Sequence, residues 1–372
     1  MIFLRIFQQM LLFSSMYFTL YFWGEDAYVS FNRILFYLLI STCVLQPVLD
    51  AIWKEKVTPE ASLLIIMIIG VGIGLIFLSF QHYVESFIVL YITFKNIERV
   101  LYISCCIESS IRIAQIKLTL LYLIEFLSIL SVVMFFDRLS LADRLSASVL
   151  AYFSLFYLYS VGKLRRERFV FNLYAFLTKY KESIGMLFYF LLSSLVLNID
   201  RLFVDDIKPL SRSVSYLFYL SVFFAVFGLF GYNFDKIRKS IRNQCKINYI
   251  HIIIPSLIAF IGTLSFISLF NYTFPSVLVV LKVPFFNFYD VLSIFFLVFS
   301  VYILMVVCTV YIQGGLMKVP LVTFSFIGFC KLSLLKTVGI VSSNYMVSLF
   351  SIIVFFILLY KISGFRRSTC ES

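Results

Sequence analysis

Eight side chains in this 372-residue sequence can do chemistry although apolar residues surround them. Tyr91, Lys95, Glu98 and Arg99 fall on one helical face of an apolar stretch at 85–104. Lys95 and Glu98 can pair at i,i+3, which leaves Arg99 as the unneutralised charge. Glu125 lies midway along the next apolar stretch, where it can partner Lys95 or Arg99. Asp200 and Arg201 stand near the end of a further stretch. Sequence neighbours point about 100° apart on a helix, so they cannot simply neutralise each other. At least one must face another helix or a hydrated cavity. Lys331 is a single charge within an otherwise apolar run. A charge at mid-bilayer costs roughly 2.5–3.5 kcal/mol on the insertion scale, so such residues face a bundle interior or water.

Two readings of these charges stay open. They can be salt bridges that fix helix register, or they can line a path for a substrate. The set leans basic, with Lys95, Arg99, Arg201 and Lys331 against Glu98, Glu125 and Asp200. Arg and Lys can hold a phosphate or pyrophosphate, and tyrosines can stack on sugar faces. The chemistry is therefore binding rather than bond-making, and no catalytic residue is assigned.

Other chemistry finds little support. No GxxxxGK[ST] is present to cradle a nucleotide. Gly70, Gly72 and Gly74 lie inside an apolar run, where close helix packing is the better reading. The seven cysteines show no CxxC and no histidine at ligand spacing, so neither a metal site nor any other cofactor is expected. The formal charge of +12 does not indicate a nucleic-acid binder, because Lys and Arg sit in short clusters between apolar runs rather than on a solvated face.

The elements that must position these residues are membrane spans. With 62% hydrophobic and 13% charged residues, the chain cannot cover itself for water. Spans of about 20 residues are expected near 2–23, 34–53, 62–81, 85–104, 113–136 and 145–162. A second set is expected near 184–204, 212–234, 249–270, 290–312, 320–338 and 343–362. The first apolar run is read as a retained span rather than a cleavable leader. Alternate loops hold sixteen Lys and Arg against seven, with Arg33, Arg138 and Arg144 in the poorer set. That bias places both termini in the cytoplasm and makes the span count even. The basic stretch 163–183 reads as an amphipathic linker on the inner leaflet. Loop 271–289 faces outward and is apolar enough to lie in the membrane interface. LFYLL at 35–39 recurs as LFYLS at 217–221, an offset of 182 residues. The expected architecture is all-α, with about twelve transmembrane helices in two parallel six-helix bundles, 1–162 and 184–372.

Three segments carry a family resemblance: SSLVLNIDRLFVDD at 193–206, SVSYLFYLSVFFAVF at 213–227 and PSVLVVLKVPFFNFYDVLSIFFLVFSVYI at 275–303. With the twelve spans, these resemble the multidrug/oligosaccharidyl-lipid/polysaccharide exporter superfamily, and within it the bacterial O-antigen and capsule-repeat flippases. The family's glycine before the tyrosine of span eight is replaced by Ser215 before Tyr216. The resemblance implies a non-enzymatic flippase of the bacterial inner membrane that moves an undecaprenyl-pyrophosphate-linked oligosaccharide by alternating access. It carries only Asp200 and Arg201 over as site residues. Partners would be the lipid-linked oligosaccharide, membrane lipids and other proteins of polysaccharide synthesis. The alternatives are an integral-membrane polymerase or acyltransferase of that synthesis, and a small-molecule exporter of the same fold.

Overall fold

The computed structural model describes residues 2–53, 59–108, 111–136, 140–158, 184–230, 234, 237, 250–280, 282–284, 286–313 and 315–370. The stretch read as an amphipathic linker, 163–183, lies outside the described residues, as do the basic residues between 238 and 246. Helices account for nearly everything described. They are α1 Ile2–Trp53, α2 Pro59–Ser79, α3 Tyr83–Glu108, α4 Ile111–Phe135, α5 Leu141–Tyr152, α6 Ser154–Leu158 and α7 Ile184–Asn198. Then follow α8 Asp200–Phe203, α9 Leu210–Leu229, α10 Ile250–Thr273, α11 Pro275–Val280, α12 Phe288–Gln313 and α13 Lys318–Cys370. Among the described residues there is no strand.

Among the described residues seven stretches are long and apolar enough to cross a membrane, and two of them, Phe3–Leu45 and Lys318–Ile362, run to 43 and 45 residues. Each of these is interrupted by one glycine outside helical geometry, Gly24 at φ 86° and Gly339 at φ 80°. The two glycines divide α1 into arms 2–23 and 25–53, and α13 into arms 318–338 and 340–370. Counted with α2, α3 and the consecutive α5 and α6, the described helices match the twelve expected spans to within a few residues at most boundaries. The chain is thus an all-helical, multi-pass membrane protein.

One boundary is displaced. The sequence reading opens the second span at 34 and leaves a loop before it, but helix begins again directly after Gly24. A single residue in the left-handed region takes the place of that loop, because glycine alone adopts it without steric cost. Arg33, expected in the loop, is therefore a half-buried helical residue.

Contacts divide the chain into two compact units, Met1–Leu191 and Leu192–Ser372. In the first, Phe31 and Leu38 of α1, Ile97 and Val100 of α3, Leu121 of α4 and Leu145 of α5 share one apolar core. Gly70 and Gly74 of α2 face α3. A Cβ at Gly70 would collide with Thr93, and one at Gly74 would meet Leu90 at 3.0 Å. Small residues there let two backbones approach closely, and Ser86 donates to the Gly74 carbonyl at 2.8 Å. Gly72 points elsewhere, with nothing within 4 Å of its Cβ position.

In the second unit α12 is the interior helix. Val291, Ile294, Leu297, Ser300, Tyr302, Val306 and Val307 are fully buried at positions around most of the helix, so it is covered on nearly every side. By contrast α10 exposes Ile254, Ile258, Ile261, Phe266 and Leu269, an apolar face suited to lipid. The 271–289 connection contains the short helix α11 rather than a separate folded domain.

Candidate functional site

Interior charges gather in one cluster per unit. In the first unit Lys95 of α3 donates to Glu98 Oε2 at 3.3 Å and lies 3.6 Å from Glu125 Oε2 of α4. Both expected partnerships of Lys95 are present. Its ammonium also sits over aromatic rings, 4.6 Å from the Tyr122 centroid, 4.7 Å from Tyr152 and 5.9 Å from Tyr91. Cation–π attraction of this kind grows when the cation is desolvated, and Lys95 is only 8% exposed. Tyr122 donates to Glu98 Oε1 at 2.9 Å. Glu125 accepts from Ser148 at 2.8 Å and from Tyr152 at 3.0 Å.

Arg144 completes the cluster, and the sequence reading misplaced it in an outer loop. It belongs to the first turn of α5 and is 1% exposed. Its Nε donates to Thr19 at 2.9 Å, one Nη to Ser15 at 3.0 Å and the other to Ser148. Its guanidinium carbon lies 4.6 Å from the Phe31 ring centroid. One side chain therefore holds both arms of α1, on either side of Gly24. A signal was available in the sequence. Ser140 and Asp143 form a capping box, and the S-x-x-[DE] spacing marks a helix start before Arg144. From there Arg144, Ser148 and Tyr152 follow at i,i+4 on one face.

The second unit brings together residues distant in sequence. The Lys331 ammonium is 3.0 Å from Asp200 Oδ1 and donates to Oδ2 at 3.1 Å and to the Val196 carbonyl at 2.8 Å. The Oδ1 contact is ionic, because it lacks hydrogen-bond geometry. Both side chains are 0% exposed. Tyr216 of α9 donates to Asp200 Oδ2 at 2.6 Å, and Asn344 donates to the Tyr216 hydroxyl at 2.7 Å. Lys331 and Asn344 lie on opposite arms of α13, so this cluster spans the Gly339 corner as Arg144 spans the Gly24 corner. Tyr216 and Asn344 were not among the expected site residues. An amide five residues past a glycine break was the only hint of Asn344.

Arg201 turns the other way from Asp200, as the helical offset requires. Its Nε donates to Asn198 at 3.2 Å and its guanidinium lies 5.5 Å from the Phe224 ring. Tyr91 is a buried wall residue that packs on Phe31 and Tyr152.

Arg99 differs from these residues. It is half-buried, and no hydrogen bond or ion pair joins it to any other residue among those described. Lys95, Arg144 and Lys331 are all satisfied internally. Hydrogen-bonded charges of this kind are costly to disrupt, so they act first as ties between helices. Arg99 makes no such tie among the described residues.

The fold and these clusters define a helical membrane protein with one buried network of paired charges in each unit. No protein-family profile matches the chain, and no curated protein does. Solved structures do. The lipid II flippase MurJ in its inward closed conformation superposes with a TM-score of 0.63 at 16% identity, over 97% of this chain and 86% of that one. The Vibrio cholerae MATE transporter VcmN in the bent form gives 0.62 at 13% identity, over 98% and 95%. An inward-facing multidrug resistance MATE family transporter of the MOP superfamily gives 0.62 at 10%, over 99% and 96%. The fold is the one these flippases and transporters share.

Proposed function

We propose that the chain is a transporter that moves a lipid-linked oligosaccharide across a bacterial inner membrane by alternating access, and not an enzyme. The observation that carries this reading is Arg99, a half-buried cation on α3, a helix the sequence expects to span the membrane, with no hydrogen bond or ion pair among the described residues. An unpaired guanidinium is costly within a bilayer, and an anionic phosphate or pyrophosphate would offset that cost through charge-assisted hydrogen bonds. The near-complete structural likeness to a lipid II flippase agrees with this reading.

The test is reconstitution into liposomes with a fluorescent polyprenyl-pyrophosphate oligosaccharide, scored for movement between leaflets. Arg99→Gln should abolish transport while leaving membrane insertion and thermal stability unchanged. Normal transport by that variant would remove Arg99 from the substrate path.

A second reading, a small-molecule exporter, draws on the MATE likeness, which is equally extensive. In the same liposomes, efflux of a cationic dye without movement of the pyrophosphate lipid would select it.

A further inference from the structure

We propose that the outer surface of the α1–α4 seam binds an anionic diacyl phospholipid, whose phosphate sits between Arg5 and Arg112. The inference does not depend on what the protein transports. Gln8 of α1 donates to the Gln115 carbonyl and to Thr119 Oγ1 of α4, both at 2.9 Å. Further along the same helices Phe18 packs on Phe126, with ring centroids 5.2 Å apart. The partners are 107 residues apart at Gln8 and Gln115, and 126 less 18, or 108, at the second contact. The helices therefore run parallel in one register, and Arg5 is level with Arg112, 107 residues on. Each arginine precedes its contact glutamine by three residues, which keeps both close to the seam.

Two cations at one level of adjoining helices attract an anion. From Ile2 to Trp23 and from Ile111 to Ile124 the charged residues are Arg5, Arg112 and Lys117, all cationic. Arg112 is exposed, and Arg5 and Lys117 are half-buried. The surface around them is apolar. Phe3, Phe7 and Met10 are exposed in one stripe of α1, and Ile113, Ile116 and Leu120 in one of α4. An exposed surface of this kind suits hydrocarbon rather than water. Two stripes, one on each helix, match the two chains of a diacyl lipid. A polyprenyl phosphate has one chain and free phosphate has none. Lys117 is rooted about 7.5 Å deeper than Arg112, at 1.5 Å per residue, and a lysine at that depth snorkels toward headgroup level. A zwitterionic headgroup would bring its own cation against two guanidiniums, so a net negative one is favoured. The loop charge bias puts this end of both helices at the cytoplasmic leaflet.

The experiment titrates the full-length protein in neutral detergent and counts bound lipid by native mass spectrometry. The probes are phosphatidylglycerol, phosphatidylethanolamine, a polyprenyl phosphate and inorganic phosphate. Phosphatidylglycerol should bind best. Arg5→Gln, Arg112→Gln and Lys117→Gln should each weaken it by about fivefold, the worth of one cation at an anionic surface. Lys336→Gln removes an exposed charge elsewhere, on α13, and should change nothing. Without lipid, Arg112→Gln should melt like the parent protein, since its side chain is exposed. Equal losses from Lys336→Gln and Arg112→Gln would replace the site with general surface charge. Equal binding of the two phospholipids, or displacement of phosphatidylglycerol by inorganic phosphate or by lower concentrations of polyprenyl phosphate, would also overturn the proposal.

Discussion

The Lys331 ammonium and the Asp200 carboxylate meet at 3.0 Å with neither side chain exposed, across 131 residues of sequence. Removing one partner from such a pair strands the other charge in a low-dielectric interior. Lys331→Met or Asp200→Asn alone should therefore cost roughly 3–5 kcal/mol, read as a lower melting temperature and poorer yield in detergent. The double variant should recover most of that loss. Equal melting temperatures for Lys331→Met and the parent protein would show that the pair is not a tie.

Arg144 donates from three nitrogens to Thr19, Ser15 and Ser148, and it lies over the Phe31 ring. Lysine has the charge but not the planar fork. Arg144→Lys should thus be destabilising by about 1.5–3 kcal/mol, the scale of one lost hydrogen bond to a charged group. Thermal unfolding of the purified variant checks this, and a shift no larger than that of an exposed Arg112→Lys control would contradict it.

Gly70 and Gly72 of α2 should separate cleanly. Gly70→Ala forces a methyl group onto Thr93, whose hydroxyl is held by the Val89 carbonyl at 2.7 Å. Overpacking of this kind costs about 1–3 kcal/mol. Gly72→Ala meets nothing within 4 Å and should be neutral or stabilising, by up to about 1 kcal/mol from helix propensity. Similar melting temperatures for the two variants would count against the close approach of α2 and α3.

Gly24 and Gly339 share a conformation, φ 86° with ψ −180° and φ 80° with ψ 175°. That region belongs essentially to glycine, and another residue there pays about 1–3 kcal/mol. Gly339→Ala should be destabilising although nothing lies within 4 Å of its Cβ position. The same change at the helical Gly72, whose Cβ position is also open, is the internal control. A neutral Gly339→Ala would mean that the arms of α13 join in some other way.

The helices were legible in the sequence because lipid leaves few choices. A chain with so few charges must hide its backbone polar groups in helices, and the hydrocarbon thickness sets their length. Local pairs were legible for a similar reason. Lys95 and Glu98 are neighbours by helical period alone, and Glu125 stood out because a charge in mid-span needs a partner. The packing role of Gly70 and Gly74 followed from their size and apolar setting.

What the tertiary structure decided is which distant groups meet. Nothing in the order of residues joins Lys331 to Asp200, or Asn344 to Tyr216, since each contact depends on how separate helices pack. Arg144 was read as a loop residue because charge counting treats every cation near a span edge alike, whereas its capping box and the hydroxyls of Ser15 and Thr19 draw it inside. Arg99 needed both levels. Its sequence spacing marked it as the surplus charge, but only the packed helices show that the other cations of its bundle's charge cluster, Lys95 and Arg144, are already satisfied. A side chain's type and period follow from the chain, while its freedom to bind depends on what the fold has already placed against it.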